Sequence, residues 1–181
     1  PYNILAVTFT NKAAGEMRER VAQLLGHRSD DRSFMPFMGT FHSIFSRILR
    51  VEADKLGYNS GFTIYDEADS RSLIKSIVKE MGLDDKAYKP ASVHSRISMA
   101  KNHLVMAEQY ANDQEVLKRD SDSKQSEIFK IYQAYQQRCL KANAMDFDDL
   151  LVMTWRLFKE HEDVRKKYAE RFQYVLVDEY Q

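Results

Sequence analysis

One cysteine, three prolines and six glycines are all that the 181 residues contain of these types. The lone Cys139 excludes an intramolecular disulfide and a cysteine-rich zinc site alike. So little proline and glycine leaves no room for collagen-like or low-complexity tracts. No run of about 18 apolar residues occurs, so no membrane-spanning helix is expected. Neither sign of charge is in excess, with 27 basic side chains against 27 acidic ones. Composition therefore offers no basic face that would announce a polyanionic partner. The start, Pro1-Tyr2-Asn3, has neither an initiator Met nor a basic-then-apolar leader.

What is present is a globular composition, 44% hydrophobic and 30% charged, enough for a sizeable core in one domain or slightly more. Both ends run into strand-like apolar stretches, Ile4-Leu5-Ala6-Val7 and Tyr174-Val175-Leu176-Val177. The chain is thus expected to be a piece of a longer protein. A free thiol without an export signal points to a cytoplasmic one. Divided along the chain, the charge balance is uneven: residues 146–181 carry nine acids against six bases.

Residues 4–9 read as a buried parallel strand. Ala13, Ala14, Met17, Val21, Leu24 and Leu25 then recur at helical spacing, with Gly26 where a C-cap belongs. Residues 34–40 read as a second strand interrupted by Pro36, and Ile44, Phe45, Ile48 and Leu49 as a second helix. That order indicates an α/β layer. After Gly57 the pattern turns helical. Asp66 can cap a helix closed by Gly82, Pro90 can open another, and Ile128 to Cys139 define a long one. Residues 113–124 are almost wholly polar and read as a loop or exposed helix end. Asp146 can cap a returning helix, with Asp149 favouring its positive end. Trp155 and the tyrosines at 132 and 135 read as core.

Three constellations can carry chemistry, each with a plain structural alternative. The closing Val175-Leu176-Val177-Asp178-Glu179-Tyr180-Gln181 is an apolar strand that delivers two adjacent carboxylates at its C-terminal end, where open α/β sheets bind ligands. One carboxylate can hold Mg²⁺, usually through water, and the next can orient an attacking water. The alternative is a strand ending in solvated acids. In Val7-Thr8-Phe9-Thr10-Asn11-Lys12, a strand runs through a polar turn into a helix N-terminus, where free N–H groups favour an anion. Phe9 there offers a stacking face. The alternative is an ordinary turn capped by Thr10 or Asn11. Gly39-Thr40-Phe41-His42-Ser43 repeats the arrangement, with hydroxyls and an imidazole able to meet phosphates or simply to cap. Asp146-Phe147-Asp148-Asp149 reads as capping rather than a metal site.

Taken together and in order, these stretches resemble the UvrD/Rep-type superfamily 1 DNA helicases. Residues 4–21 are similar to helicase motif Ia, residues 39–43 to motif Ib, and residues 175–181 to the start of motif II, the Walker B element. Asp146-Phe147-Asp148-Asp149-Leu150-Leu151 matches a run the family carries upstream of motif II. The resemblance implies an α/β fold: a partial P-loop NTPase (RecA-like) parallel sheet with a mainly α-helical inserted subdomain. It divides the chain into residues 1–59, a helical accessory insert at 60–142, and a return to the motor domain at 143–181. It implies Asp178 on Mg²⁺, Glu179 activating the hydrolytic water, and Gln181 sensing the nucleotide. Phe9, Thr10, Asn11, Thr40, His42 and Ser43 would contact single-stranded DNA. The implied cofactors are ATP and Mg²⁺, and the implied partners are single strands and single-strand/duplex junctions, with no membrane.

Two departures stand out: Gly15 where many relatives carry Arg, and no G-x-x-x-x-G-K-[ST] phosphate cradle anywhere in the chain. A chain without that cradle is expected to be catalytically inactive alone. The motor part of a recombination helicase–nuclease subunit and a non-catalytic DNA-binding or docking module remain alternatives.

Overall fold

The computed structural model describes residues 2–28, 30 and 33–178. The chain divides into two compact units, residues 1–56 with 153–181, and residues 57–152.

In the first unit, β1 (Ile4–Thr8) is the centre of a three-stranded sheet in the order β2-β1-β5, with β2 Met38–Thr40 and β5 Tyr174–Val177. All three strands run parallel. Helix α1 (Asn11–Leu25) follows β1, and α2 (Phe41–Glu52) springs directly from β2. Thr10 caps α1, and Gly26 ends it at φ +69°, the left-handed conformation glycine adopts without strain. Ala6, Ala22, Phe34, Met35 and Met38 pack together as core.

The expected strand over residues 34–40 shrinks to its last three residues. Pro36 has no N–H for the ladder, and Met38 N–H closes a turn onto the Met35 carbonyl at 3.3 Å. The run 174–177, expected to be buried, is instead largely open, with Tyr174, Val175 and Leu176 57–64% exposed. β5 is one of the two edge strands of the sheet and pairs only with β1 among the described residues. Trp155, expected in the core, is 37% exposed, with the Lys159 ammonium 4.5 Å above its ring. Helix α9 (Glu162–Arg171) had no counterpart in the sequence reading. Its Lys167 and Tyr168 reach the buried Glu52 carboxylate at 2.5 and 3.3 Å.

The second unit holds α3 (Glu67–Glu80), α4 (Pro90–Asn102), α5 (Ala107–Asn112), α6 (Gln114–Asp122) and α7 (Ile128–Lys141). Ile74, Ile77, Val93, Ile97, Ile131 and Tyr132 form its centre. Two three-residue strands missed in the sequence, β3 (Thr63–Tyr65) and β4 (Ala144–Asp146), pair in parallel with Tyr65 opposite Asp146. Because β4 pairs with β3, the segment just after residue 142 belongs to this unit. Each strand leads into a helix through an aspartate N-cap with a reciprocal capping box. Asp66 serves α3 through Asp69, and Asp146 serves α8 (Phe147–Glu160) through Asp149. Residues 113–124, expected to be loop or helix end, contain α6, because Asp113 caps it through the Glu115 and Val116 N–H groups.

The unit also buries a charge cluster. Lys101, 2% exposed on α4, places Nζ 2.6 Å from Asp146 Oδ2 and 2.7 Å from Asp149 Oδ1. The Tyr135 hydroxyl donates to Asp146 Oδ2 at 2.8 Å and lies 2.9 Å from Ser70 Oγ. Burial works against charge on Asp146, yet Lys101 outweighs it and holds that carboxyl below its usual range. Burial prevails at Asp149, whose carboxyl is pushed up to about 6.

Candidate nucleic-acid interface

Parallel pairing puts the C-terminal ends of all three strands of the first unit on one edge. Thr8 aligns with Thr40 across β1 and β2, and Val7 with Val177 across β1 and β5. Three segments identified in the sequence therefore meet there: the turn at Phe9, the start of α2, and Asp178.

Phe9 follows β1 directly and is 60% exposed. Its ring lies 5.0 Å from that of Phe41 at an interplanar angle of 47°, and Phe41 lies 5.7 Å from Phe45. An aromatic ledge with one open face results. Phe41 carried no role in the sequence reading. The signal that would have found it is the β1–β2 pairing, which brings positions 9 and 41 together across 32 residues.

The hydroxyls are partly committed. Thr10 Oγ1 accepts from Ala13 N–H at 3.1 Å, and Thr40 Oγ1 accepts from Ser43 N–H at 3.2 Å, while Ser43 Oγ donates to the Thr40 carbonyl at 2.9 Å. Thr40 is 8% exposed, so its side chain builds the helix start and is not presented at the surface. Thr10, Asn11 and Ser43 are exposed, and His42 is half-buried. Neither α1 nor α2 has an acid in its first turn, so both positive helix ends reach this edge uncompensated. In contrast, α8 carries Asp148 and Asp149 in its first turn. At Gly39 a Cβ would lie 2.7 Å from Ser43 Oγ, so a larger residue there would displace that hydroxyl.

Asp178 leaves β5 with its N–H on the Val7 carbonyl at 3.0 Å, exposed at the same edge. Across from it on β1, the fully buried Thr8 hydroxyl has no hydrogen-bond partner among the described residues. An exposed carboxylate at the strand end is a hard-oxygen donor of the kind that fits Mg²⁺. No group of three or more His, Cys, Asp or Glu side chains gathers among the described residues, so a cation here would draw further oxygens from water and nucleotide. Glu179 and Gln181 lie outside the described residues. For ATP phosphates the residues present do not fit, because the chain contains no glycine-rich cradle with its Lys.

Similar proteins supply an independent line. The chain is 44% identical to the ATP-dependent DNA helicase PcrA of Bacillus subtilis over all 181 residues, 23% of that protein's length. It is 46% identical to the ATP-dependent DNA helicase UvrD1 of Mycobacterium leprae over 179 residues, 22% of that protein. To PcrA of Staphylococcus aureus it is 40% identical over 181 residues. The chain thus spans less than a quarter of the length of these relatives, 22–23%. A family model described as the UvrD/REP helicase N-terminal domain matches residues 1–181 from end to end. The chain belongs to the UvrD/REP helicase N-terminal domain family.

Proposed function

We propose that the chain is part of the first motor domain of a cytoplasmic ATP-dependent DNA helicase that moves along single strands and opens duplex at junctions. The observation that carries this is the meeting of an open aromatic face, two uncompensated helix N-termini and Asp178 at one sheet edge. Phe9 takes a base on its exposed face, while the N–H groups and polar side chains at Thr10, Asn11, His42 and Ser43 meet the strand backbone. Thr40 serves by setting the start of α2. Asp178 holds Mg²⁺, which neutralises phosphate charge when bound, Glu179 orients the attacking water, and Gln181 reports the nucleotide state. The helical insert at 60–142 acts as the accessory subdomain toward the duplex, a reading supported by the separate compact unit of residues 57–152.

Phosphoryl transfer depends on positioning and charge neutralisation. The 181-residue chain is therefore inactive, and the parent is active. Full-length parent should hydrolyse ATP with Mg²⁺ in response to single-stranded DNA, and Glu179→Gln should abolish turnover. The isolated chain should show none. Steady hydrolysis by the isolated chain, lost in Glu179→Gln, would overturn the inactivity; a parent that ignores DNA would overturn the motor assignment.

A further inference from the structure

The buried Asp120 is hard to explain as part of a solvated helix. α6 is mostly polar, with Val116 and Leu117 its apolar residues, and Glu115, Lys118, Arg119 and Asp122 are exposed. Yet Asp120 is fully buried. Its two oxygens are held by Arg96 Nη1 at 3.0 Å from α4 and by the Tyr110 hydroxyl at 2.6 Å from α5. Burying a carboxylate is costly unless its partners are fixed, so the triad locks three helices and fixes the Arg96 guanidinium in place.

That guanidinium lines a half-open cavity of about 320 Å³. Arg119 stands on its α6 wall and enters no ion pair among the described residues. Arg96 from α4 and Arg119 from α6 thus line one and the same cavity. No carboxylate lines the cavity. The remainder is mostly apolar, formed by the exposed Met99, by Val116 and by the His103 ring, whose Nδ1 is tied to the Met99 carbonyl at 2.8 Å.

We propose that this cavity docks a short acidic peptide segment of a partner protein, one carboxylate between Arg96 and Arg119 and an adjacent aliphatic or aromatic side chain on the Met99–Val116 floor. Charge complementarity selects the acid, because Arg119 has no ion pair among the described residues, Arg96 stands beside it, and no carboxylate lines the cavity. The adaptable thioether and the arginines are the residue types that anchor protein–protein contacts. A nucleic-acid backbone is a poorer match. It needs several cations along a track, whereas Arg96 is already shared with Asp120 and α6 carries both signs of charge. The proposal is independent of the DNA-binding edge in the other unit.

The test is fluorescence polarisation on the 181-residue chain. The probe is a fluorescein-labelled hexapeptide carrying two aspartates around a Leu-Phe pair, and the control has lysines in place of the aspartates. The acidic peptide should bind at least about tenfold more tightly than the basic one, the worth of one charge-assisted contact. Arg119→Glu, at an exposed position, should reverse that preference, and Met99→Glu should weaken the acidic peptide while leaving the circular dichroism spectrum unchanged. Equal binding of both peptides, no binding of either, or indifference to both substitutions overturns the proposal. So does loss of affinity in Arg119→Glu for a labelled 20-base-pair duplex but not for the peptide, which would make this face a phosphate contact.

Discussion

Lys101→Met tests the buried charge cluster most directly. In the wild type, one ammonium at 2.6 and 2.7 Å compensates two carboxylates that are themselves almost wholly buried. Methionine has nearly the same length and fills the space, so the loss isolates charge from packing. Removing one partner of a buried ion pair costs about 3–5 kcal/mol, because the remaining charge keeps its desolvation penalty. Here two acids are left, already joined through the α8 capping box.

The pH dependence has a definite sign. A buried acid whose folded pKa lies above its unfolded value binds an extra proton on folding, so stability rises as pH falls through that interval. In the wild type Asp149, at about 6, behaves this way only below pH 6. Asp146, held low by Lys101, acts oppositely, and its contribution is lost only as pH falls below the ordinary carboxylate range. Without the ammonium, burial and mutual repulsion should raise the titration of one aspartate further above the ordinary carboxylate range. The deficit of the variant should therefore be about 3–5 kcal/mol at pH 8. It should shrink as pH falls to 6, at up to roughly 1.4 kcal/mol per pH unit. Urea titrations followed by far-ultraviolet circular dichroism at both pH values measure it. A loss under about 1 kcal/mol at pH 8, or one independent of pH, would refute the electrostatic account.

Tyr135→Phe removes the hydroxyl that donates to Asp146 and meets Ser70, and should cost about 1–2 kcal/mol in the same titration. Asp66→Ala deletes the N-cap of α3 and should cost about 1 kcal/mol, with Asp66→Asn recovering most of it. Cys139 is buried, and its thiol is pushed up to about 12, chiefly by burial. A thiol reagent such as dithionitrobenzoate should leave it untouched at pH 8 until urea unfolds the chain. Phe9→Ala should weaken single-strand binding by about 1–3 kcal/mol, the value of one base–aromatic stack, in fluorescence anisotropy with labelled oligonucleotide.

Much of the local structure could be read from residues close in sequence. Gly26 and Gly82 end helices in the left-handed conformation, and Asp66, Thr10 and Thr40 cap them, because a cap is satisfied within three residues. Strands β3 and β4 escaped notice because three residues cannot show a period of two, and each exists only through the other. Helix α6 escaped because its one buried position is an aspartate, which hydrophobic periodicity does not register. The candidate interface was legible as three separate stretches. The capping role of Thr40 was one of two readings, because a capping threonine and a ligand-binding one look identical in sequence.

By itself, then, the sequence determined several helix caps, the balance of charge, the absence of a phosphate cradle and the order of the motifs, all of which are properties of neighbours along the chain. Only the tertiary structure decided that Phe9 and Phe41 form one ledge beside Asp178, that the closing strand is an open edge, and that Lys101 neutralises two aspartates 45 and 48 positions away. The reason is desolvation. Whether an ionised side chain faces water or must find a buried partner depends on what packs over it, and that is settled by residues far away in sequence.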